Sequence, residues 1–494
     1  MATSAANDRI SRIHLRWRRP CPPGALILGD AWERTYGDQQ WTGLRPERVL
    51  PWMVLVHDAA AETTWGAGVE VRGGAFASWT VDPEGVSLWL DLRSGGLPVR
   101  LGSRTLSAAV VRFVEAAASP FAVQGLLAGL LCRDPLPTGP LVRANNWYYA
   151  YGKGFDAAAV QRDARTISEL VGDHPVRPFA VVDDGWSVDG TADGRRASAG
   201  PWDQSRPQEF PDMGQLAADI ASEGVRPGIW FRPLLARHPD TPGILRPWEG
   251  AYALDPSHPA TLETVAGDVR RIREWGFELI KHDFSTFEAL GRWGFQMGAR
   301  PAADDIEPFD QTRTTAEVLV DLYRVVHEAA GTGVVIGCNV VGHLAAGLVQ
   351  AQRTGDDTSG RVWERSRRMG VNTLAFRLAQ HRHFFTVDAD CVASTPQTDW
   401  GQNRQFLDLV ARSGTALFVS IDPRTRSNTV DADLAAALRL ALDGGSGQPL
   451  EPLDWLWTTA PQQWRSGSDV LDYRWFDDIG ADPFDLTDAG DFVD

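Results

Sequence analysis

From about residue 141 the chain repeats one pattern: a short apolar run that breaks into charge, a loop, then an amphipathic stretch. Phe277-Glu278-Leu279-Ile280-Lys281-His282-Asp283-Phe284 is the clearest case. Strand faces alternate, so Lys281 and Asp283 project the same way while His282 points to the other side. Candidate strands are Ala144–Tyr149, Pro178–Asp183, Pro227–Phe231, Phe277–His282, Gly333–Asn339, Gly347–Thr354, His383–Val387 and Thr415–Ile421. Ala157–Leu170, Met213–Glu223, Thr261–Trp275, Thr314–Ala330 and Arg361–Leu378 are among the amphipathic stretches between them. Eight strands alternating with helices predict an α/β protein built on a (β/α)8 barrel. A doubly wound sheet would carry a Gly-rich phosphate loop after its first strand, and Asn145-Asn146-Trp147-Tyr148 is nothing of the kind.

Before residue 139 the pattern has period two. Runs such as Met53-Val54-Leu55-Val56-His57 and Val86-Ser87-Leu88-Trp89-Leu90 are separated by Gly, Asp and Pro turns. They predict an N-terminal β-sandwich over residues 1–138, and the Pro/Gly-punctuated stretch Cys132–Pro140 reads as the linker. The barrel is expected over 139–465. From 466 to 494 the sequence becomes Asp-heavy and reads as a solvated acidic tail.

Composition narrows the function. The chain has 494 residues, 43% of them hydrophobic, which is enough for large cores. A net charge of −16 argues against nucleic acid and against an anionic membrane surface as partners. The four cysteines (Cys21, Cys132, Cys338 and Cys391) form no CxxC pair, and the 10 histidines form no HxH or HExxH pattern, so neither a metal centre nor a cofactor is expected. Met1–Pro20 lacks the apolar core of a secretory signal and no stretch is apolar enough to span a bilayer, so a cytoplasmic protein is expected. Twenty tryptophans suit sugar-stacking faces as well as cores.

The chemistry-bearing residues lie at the C-terminal ends of the candidate strands, where a barrel enzyme places its site. The second strand ends Asp183-Asp184-Gly185-Trp186, with Trp186 offering an apolar face. The third, Gly228-Ile229-Trp230-Phe231-Arg232, puts Trp230 at the rim. In the fourth, Lys281 on the face of Asp283 favours the ionised carboxylate that a nucleophile needs. The fifth ends in Cys338. The sixth ends Arg353-Thr354-Gly355-Asp356-Asp357, where one of the clustered acids could stay protonated as a general acid while Arg353 orders it or binds a hydroxyl. These residues alone do not choose between Asp356 and Asp357. The seventh strand's Asp388 and Asp390 read as loop supports. Each motif also has a bland reading as a turn or a structural ion pair, but acids at four strand ends with few histidines point to glycoside chemistry.

The motifs Asn145-Asn146-Trp147-Tyr148, Val182-Asp183-Asp184-Gly185-Trp186, Phe210-Pro211-Asp212-Met213, Pro227-Gly228-Ile229-Trp230-Phe231 and Lys281-His282-Asp283 resemble the successive barrel signatures of the α-galactosidases of glycoside hydrolase family 36, to which family 27 is related. Arg313–Glu317 and Asp388–Cys391 look like further signatures, so the likeness spans roughly residues 140–460. It implies a retaining double displacement on an α-galactoside, with Asp283 as nucleophile and Asp357, four residues after Arg353, as acid/base. It also implies that Lys281, Asp183, Asp184 and Cys338 bind the sugar, and by analogy that the protein is a homo-oligomer. Departures are Asn339-Val340-Val341-Gly342 in place of a Gly-rich run, His282 in place of an aromatic, Arg232 in place of an acid, and no C-terminal β-domain after the barrel.

Two other readings compete: the same carboxylates acting on another α-linked pyranoside or transferring it to a sugar acceptor, and a non-catalytic carbohydrate-binding relative. A metal-dependent barrel hydrolase would want histidines at the mouth.

Overall fold

Eight parallel strands close into a barrel in the computed structural model, which describes residues 8–152, 154–188, 200–248, 250–476 and 480. They are β1 (Val142–Ala144), β2 (Phe179–Val182), β3 (Arg226–Phe231), β4 (Leu279–His282), β5 (Val334–Gly337), β6 (Ala351–Arg353), β7 (Thr386–Ser394) and β8 (Ala416–Ile421). They pair in chain order, and β8 returns to β1. Helices cover the outside, so every residue of β2, β4, β7 and β8 is buried. This is why these strands read as continuous apolar runs rather than alternating ones. The helices begin where the sequence offers a cap: Asp156 accepts from Ala159 N, Asp212 from Gln215 N, and Thr314 with Glu317 forms a capping box.

The expected strands all exist, with shifted ends. β1 stops at Ala144, and Trp147–Ala150 coils into a helical turn instead of extending it. β6 is only three residues long, and β7 starts later than expected and runs on to Ser394. The single helix expected over Arg361–Leu378 is broken into Trp363–Ser366, a π turn at Arg367–Asn372, and Thr373–Arg377. Gly370 sits in the wide turn, where an added Cβ would lie 2.4 Å from the Phe406 ring.

The N-terminal region packs two four-stranded antiparallel sheets. One orders Arg12–Trp17, Gly85–Asp91, Phe76–Asp82 and Leu50–Pro51; the other orders Leu26–Gly29, Met53–Asp58, Thr63–Val69 and Val111–Ala116. A helix, Pro120–Leu131, lies across the second sheet. It comes close because Gly68 has no side chain: a Cβ there would sit 2.6 Å from Leu131 Cδ1.

The acidic stretch from residue 466 on is corrected in part. Leu450–Pro452, Gln463–Ser466 and Asp469–Asp472 form a small antiparallel sheet, and Tyr473 and Trp475 are buried. Trp363 Nε1 donates to the Trp475 carbonyl at 3.0 Å, fastening this segment to the barrel. Residues 477–479 and 481–494, the rest of the expected tail, lie outside the described residues. Among the described residues no helix is long and apolar enough to cross a membrane.

Candidate active site

Asp283 follows directly on β4. Its two oxygens are held by different donors: Trp230 Nε1 gives 2.9 Å to Oδ2, and the backbone N–H of Phe284 gives 2.8 Å to Oδ1. Phe284 has φ of 60°, a left-handed conformation that is costly for an aromatic residue and common where a site constrains the backbone. The Arg232 guanidinium lies 4.0 Å over the Phe284 ring and bonds Glu288 at 2.6 Å. The arginine expected to depart from the resemblance is thus matched by an acid one turn beyond Asp283. Burial pushes Glu288 up to about 7 despite Arg232.

Lys281 does not bond Asp283. Its Nζ reaches across to Asp183, at the end of β2, at 3.0 and 3.1 Å. Asn145 Nδ2, just after β1, also donates to Asp183. Burial works against the lysine's charge, but Asp183, Cys338 and Asp283 together hold its pKa above the ordinary lysine value. The expected same-face lysine is present, and it feels the charge of Asp283 through space while fixing Asp183 by contact. Asp184 follows in the turn and is half-buried.

At the end of β6, Arg353 is fully buried and serves two carboxylates. Nη2 lies 2.9 Å from Asp357 and Nη1 lies 2.9 Å from Asp390. Nη1 also donates to Cys338 Sγ at 3.6 Å. Asp390 accepts from Tyr148 OH and from Thr358 N, and its φ of 69° accompanies a register shift in β7 between Asp388 and Cys391. Asp388 is paired with Arg143 at 2.6 Å. Gly355 is required by space: a Cβ there would lie 2.3 Å from the Met369 carbonyl.

The N-terminal region completes this corner. Thr35 N donates to the Thr354 carbonyl at 2.8 Å and Asp356 N donates back to the Thr35 carbonyl at 2.9 Å, so the loop after Gly29 adds a parallel bridge to the end of β6. Arg34 then lies 2.8 Å from Asp356 and 3.7 Å from Asp357. Arg365 holds the other oxygen of Asp356 at 3.0 Å. Next to Arg34, the buried Glu33 accepts from Asn339 Nδ2 at 2.9 Å, from Gly294 N at 2.8 Å and from Tyr36 OH.

The two sides meet around β5. Cys338 follows that strand directly, between the strands that precede Asp283 and Asp357. It is buried; burial first, then Asp283, pushes its thiol well above the ordinary value although Arg353 and Lys281 oppose them. Asp283 supports the charge on Lys281, and Lys281 in turn lowers the pKa of Asp357. Asp183, Lys281, Asp283, Cys338, Arg353 and Asp357 therefore form one electrostatic cluster at the C-terminal mouth.

Three expectations need correction. Trp186 is fully buried between Trp202 and Trp275, with ring centroids 5.9 and 6.0 Å away, and its N–H is spent on the Trp230 carbonyl, so it offers no face to a sugar. Trp230 is not a rim aromatic but a buried donor to Asp283. Asp357 is not kept protonated by its neighbours. Burial alone would raise its pKa, but Arg353, Arg34, Lys281 and Arg365 outweigh that and hold the carboxyl well below the usual range. Its side chain remains 37% exposed, whereas Asp356 is 14% exposed and locked between two arginines. Sequence reading missed Arg34, Glu33 and Tyr36, and it held Asn145 only as part of a motif, without its bond to Asp183. The adjacent charges in Trp32-Glu33-Arg34 were the one signal, and nothing local ties them to a strand end 319 residues away. Among the described residues no group of three or more His, Cys, Asp or Glu side chains is arranged to hold a metal ion.

No protein-family model matches the chain, and no curated protein matches it in sequence. Solved structures do match it. The α-galactosidase TtGalA of Thermus thermophilus, solved in complex with p-nitrophenyl α-D-galactopyranoside, is 18% identical with a TM-score of 0.63, and the match covers 94% of this chain and 93% of that one. The glycoside hydrolase family 36 α-galactosidase AgaA of Geobacillus stearothermophilus is 14% identical with a TM-score of 0.63, covering 92% and 66%. The galactosidase domain of the α-galactosidase–sucrose kinase AgaSK is 15% identical with a TM-score of 0.59, covering 93% and 65%. The chain thus spans nearly all of the Thermus enzyme and about two thirds of the other two. At these identities the likeness is one of fold.

Proposed function

We propose that the protein is a retaining glycoside hydrolase that releases α-linked galactose, with Asp283 as nucleophile and Asp357 as acid/base. The observation that carries this reading is the arrangement around β5: two carboxylates from separate strand ends, tied through Cys338, Lys281 and Arg353, one pinned by two N–H donors and the other left partly open to solvent. A nucleophile must stay ionised and aimed, and the Trp230 and Phe284 donors serve both needs. An acid/base must meet the leaving oxygen and then a water molecule, which suits the more exposed Asp357. The fold shared with structures described as α-galactosidases, one of them holding a nitrophenyl galactoside, supports galactose as the sugar.

In the first step Asp283 attacks the anomeric carbon, and Asp357, which must first take up a proton from solvent against the charges that hold it ionised, passes that proton to the departing glycosidic oxygen. In the second, Asp357 takes a proton from water, which attacks the same carbon and frees Asp283. The buried Asp183, fixed by Lys281 and Asn145, would accept hydrogen bonds from sugar hydroxyls. Proton NMR of the first product from p-nitrophenyl α-galactoside tests the proposal: α-galactose should appear before mutarotation, and β-galactose would reject double displacement. Asp283→Ala should lose turnover while still binding the sugar.

A further inference from the structure

We propose that the N-terminal loop and the loop after the nucleophile's helix together form a subsite for an aromatic leaving group, an aryl aglycone stacked on Trp293 and Phe295. The inference rests on the reading of Asp357 as acid/base, because that residue must touch the leaving oxygen and so marks where the aglycone begins.

Arg34 connects that point to an aromatic wall. Its guanidinium lies 3.7 Å from Asp357, and its central carbon lies 5.8 Å from the Tyr36 ring and 5.9 Å from the Trp293 ring. From there the rings run outward. Tyr36 meets Phe295 edge-on at 4.8 Å, Trp293 stacks on Phe287 at 4.1 Å, and Phe287 meets Trp248 at 4.7 Å. Phe295 is 63% exposed, so its ring lies open to solvent at the outer end of the wall. The wall is held rigid from below: Gly294 N donates to Glu33, Trp293 N donates to Gln296 Oε1, and Trp32 Nε1 donates to the Gly298 carbonyl.

The same contacts decide what the wall takes. A second sugar ring would bring hydroxyls that need partners. Part of the polar inventory beside these rings is spent within the protein: Arg34 Nη2 on Asp356, Gln296 Oε1 on Trp293 N, and Arg292 Nη1 on the Arg300 carbonyl. A flat aryl group needs only ring faces, and such a pair adds to affinity beyond simple area burial.

Binding to the inactive Asp283→Asn protein tests this by calorimetry, with p-nitrophenyl α-galactoside and methyl α-galactoside as the probes. The aryl glycoside should bind about tenfold tighter than the methyl glycoside. Adding Phe295→Ala or Trp293→Ala should narrow that ratio toward one, and Phe295→Trp should keep it. A ratio that survives both alanine variants, or a loss that falls equally on the two glycosides, overturns the subsite. Saturation-transfer NMR with p-nitrophenol on the wild-type protein reads the wall without the sugar. Ring-proton saturation that disappears in Phe295→Ala supports the subsite even if no galactoside is turned over, an outcome that would sink the hydrolase reading alone. Saturation that persists in Phe295→Ala counts against the wall.

Discussion

Arg34 Nη2 lies 2.8 Å from Asp356 Oδ1, an ion pair between the N-terminal region and the end of the barrel's sixth strand. Its other terminal nitrogen lies 3.7 Å from Asp357. That guanidinium is one of the charges that keep Asp357 ionised, and its removal has a predictable sign. The acid must be protonated to act, so activity falls as pH rises through its pKa. Arg34 lowers that pKa, so Arg34→Met should move the alkaline limb of kcat/KM to higher pH, by about one unit. A pH–rate profile decides it, and a limb that stays in place or moves down would exclude the role.

Trp230→Phe keeps the ring in the core but removes the donor to Asp283. A hydrogen bond to a charged group is worth about 1.5–3 kcal/mol, so kcat/KM should fall ~10- to 100-fold. Circular dichroism of the variant should match the parent, which separates a lost donor from a lost fold.

Arg353→Met leaves the buried Asp390 facing an apolar side chain. Breaking a buried pair from one side typically costs about 3–5 kcal/mol. Denaturant unfolding should record that loss, Asp357→Asn should cost much less because Asp357 is partly solvated, and Arg353→Met/Asp390→Asn should recover part of the difference.

His282 faces away from the site, fully buried, with its ring centroid 5.8 Å from that of Tyr323 and neither ring nitrogen hydrogen-bonded to a described residue. Burial pulls its pKa down to about 4. The unfolded chain returns it to about 6.5. Above that value both states are neutral and there is no penalty. As pH falls from 6.5 toward 4 only the unfolded state gains the proton, so stability is lost, by about 3 kcal/mol at the lower end. His282→Phe should flatten unfolding midpoints across that window; an unchanged slope would show that other groups carry it.

Much of the barrel was legible because its strands are buried on both faces and bounded by polar residues. β3 was expected at Pro227–Phe231 and spans Arg226–Phe231. β1 was less legible: Ala144–Tyr149 carries Asn145 and Asn146 and then three aromatics, and aromatic residues do not distinguish a strand from the helical turn at Trp147–Ala150. Alternation placed Lys281 and Asp283 on one face but said nothing of Asp183 across the barrel, which is what Lys281 touches. The two tryptophans taken for sugar platforms failed for a related reason. Trp186 and Trp230 have the right chemistry to stack, yet sequence does not reveal which ring the core has claimed. Arg34 left no signal beyond the charge beside it, Glu33, since a side chain that docks from another layer follows no local period.

The parallel bridge between Thr35 and Gly355 makes the sandwich and the barrel joint owners of one rim. A lineage that edits only the loop around Thr35 changes the surroundings of that rim, and through Arg34 the charge balance of Asp357, without altering a residue of the barrel itself. Grafting that loop between related chains is then the shortest route to a new preference, and an excised barrel would arrive with one wall missing.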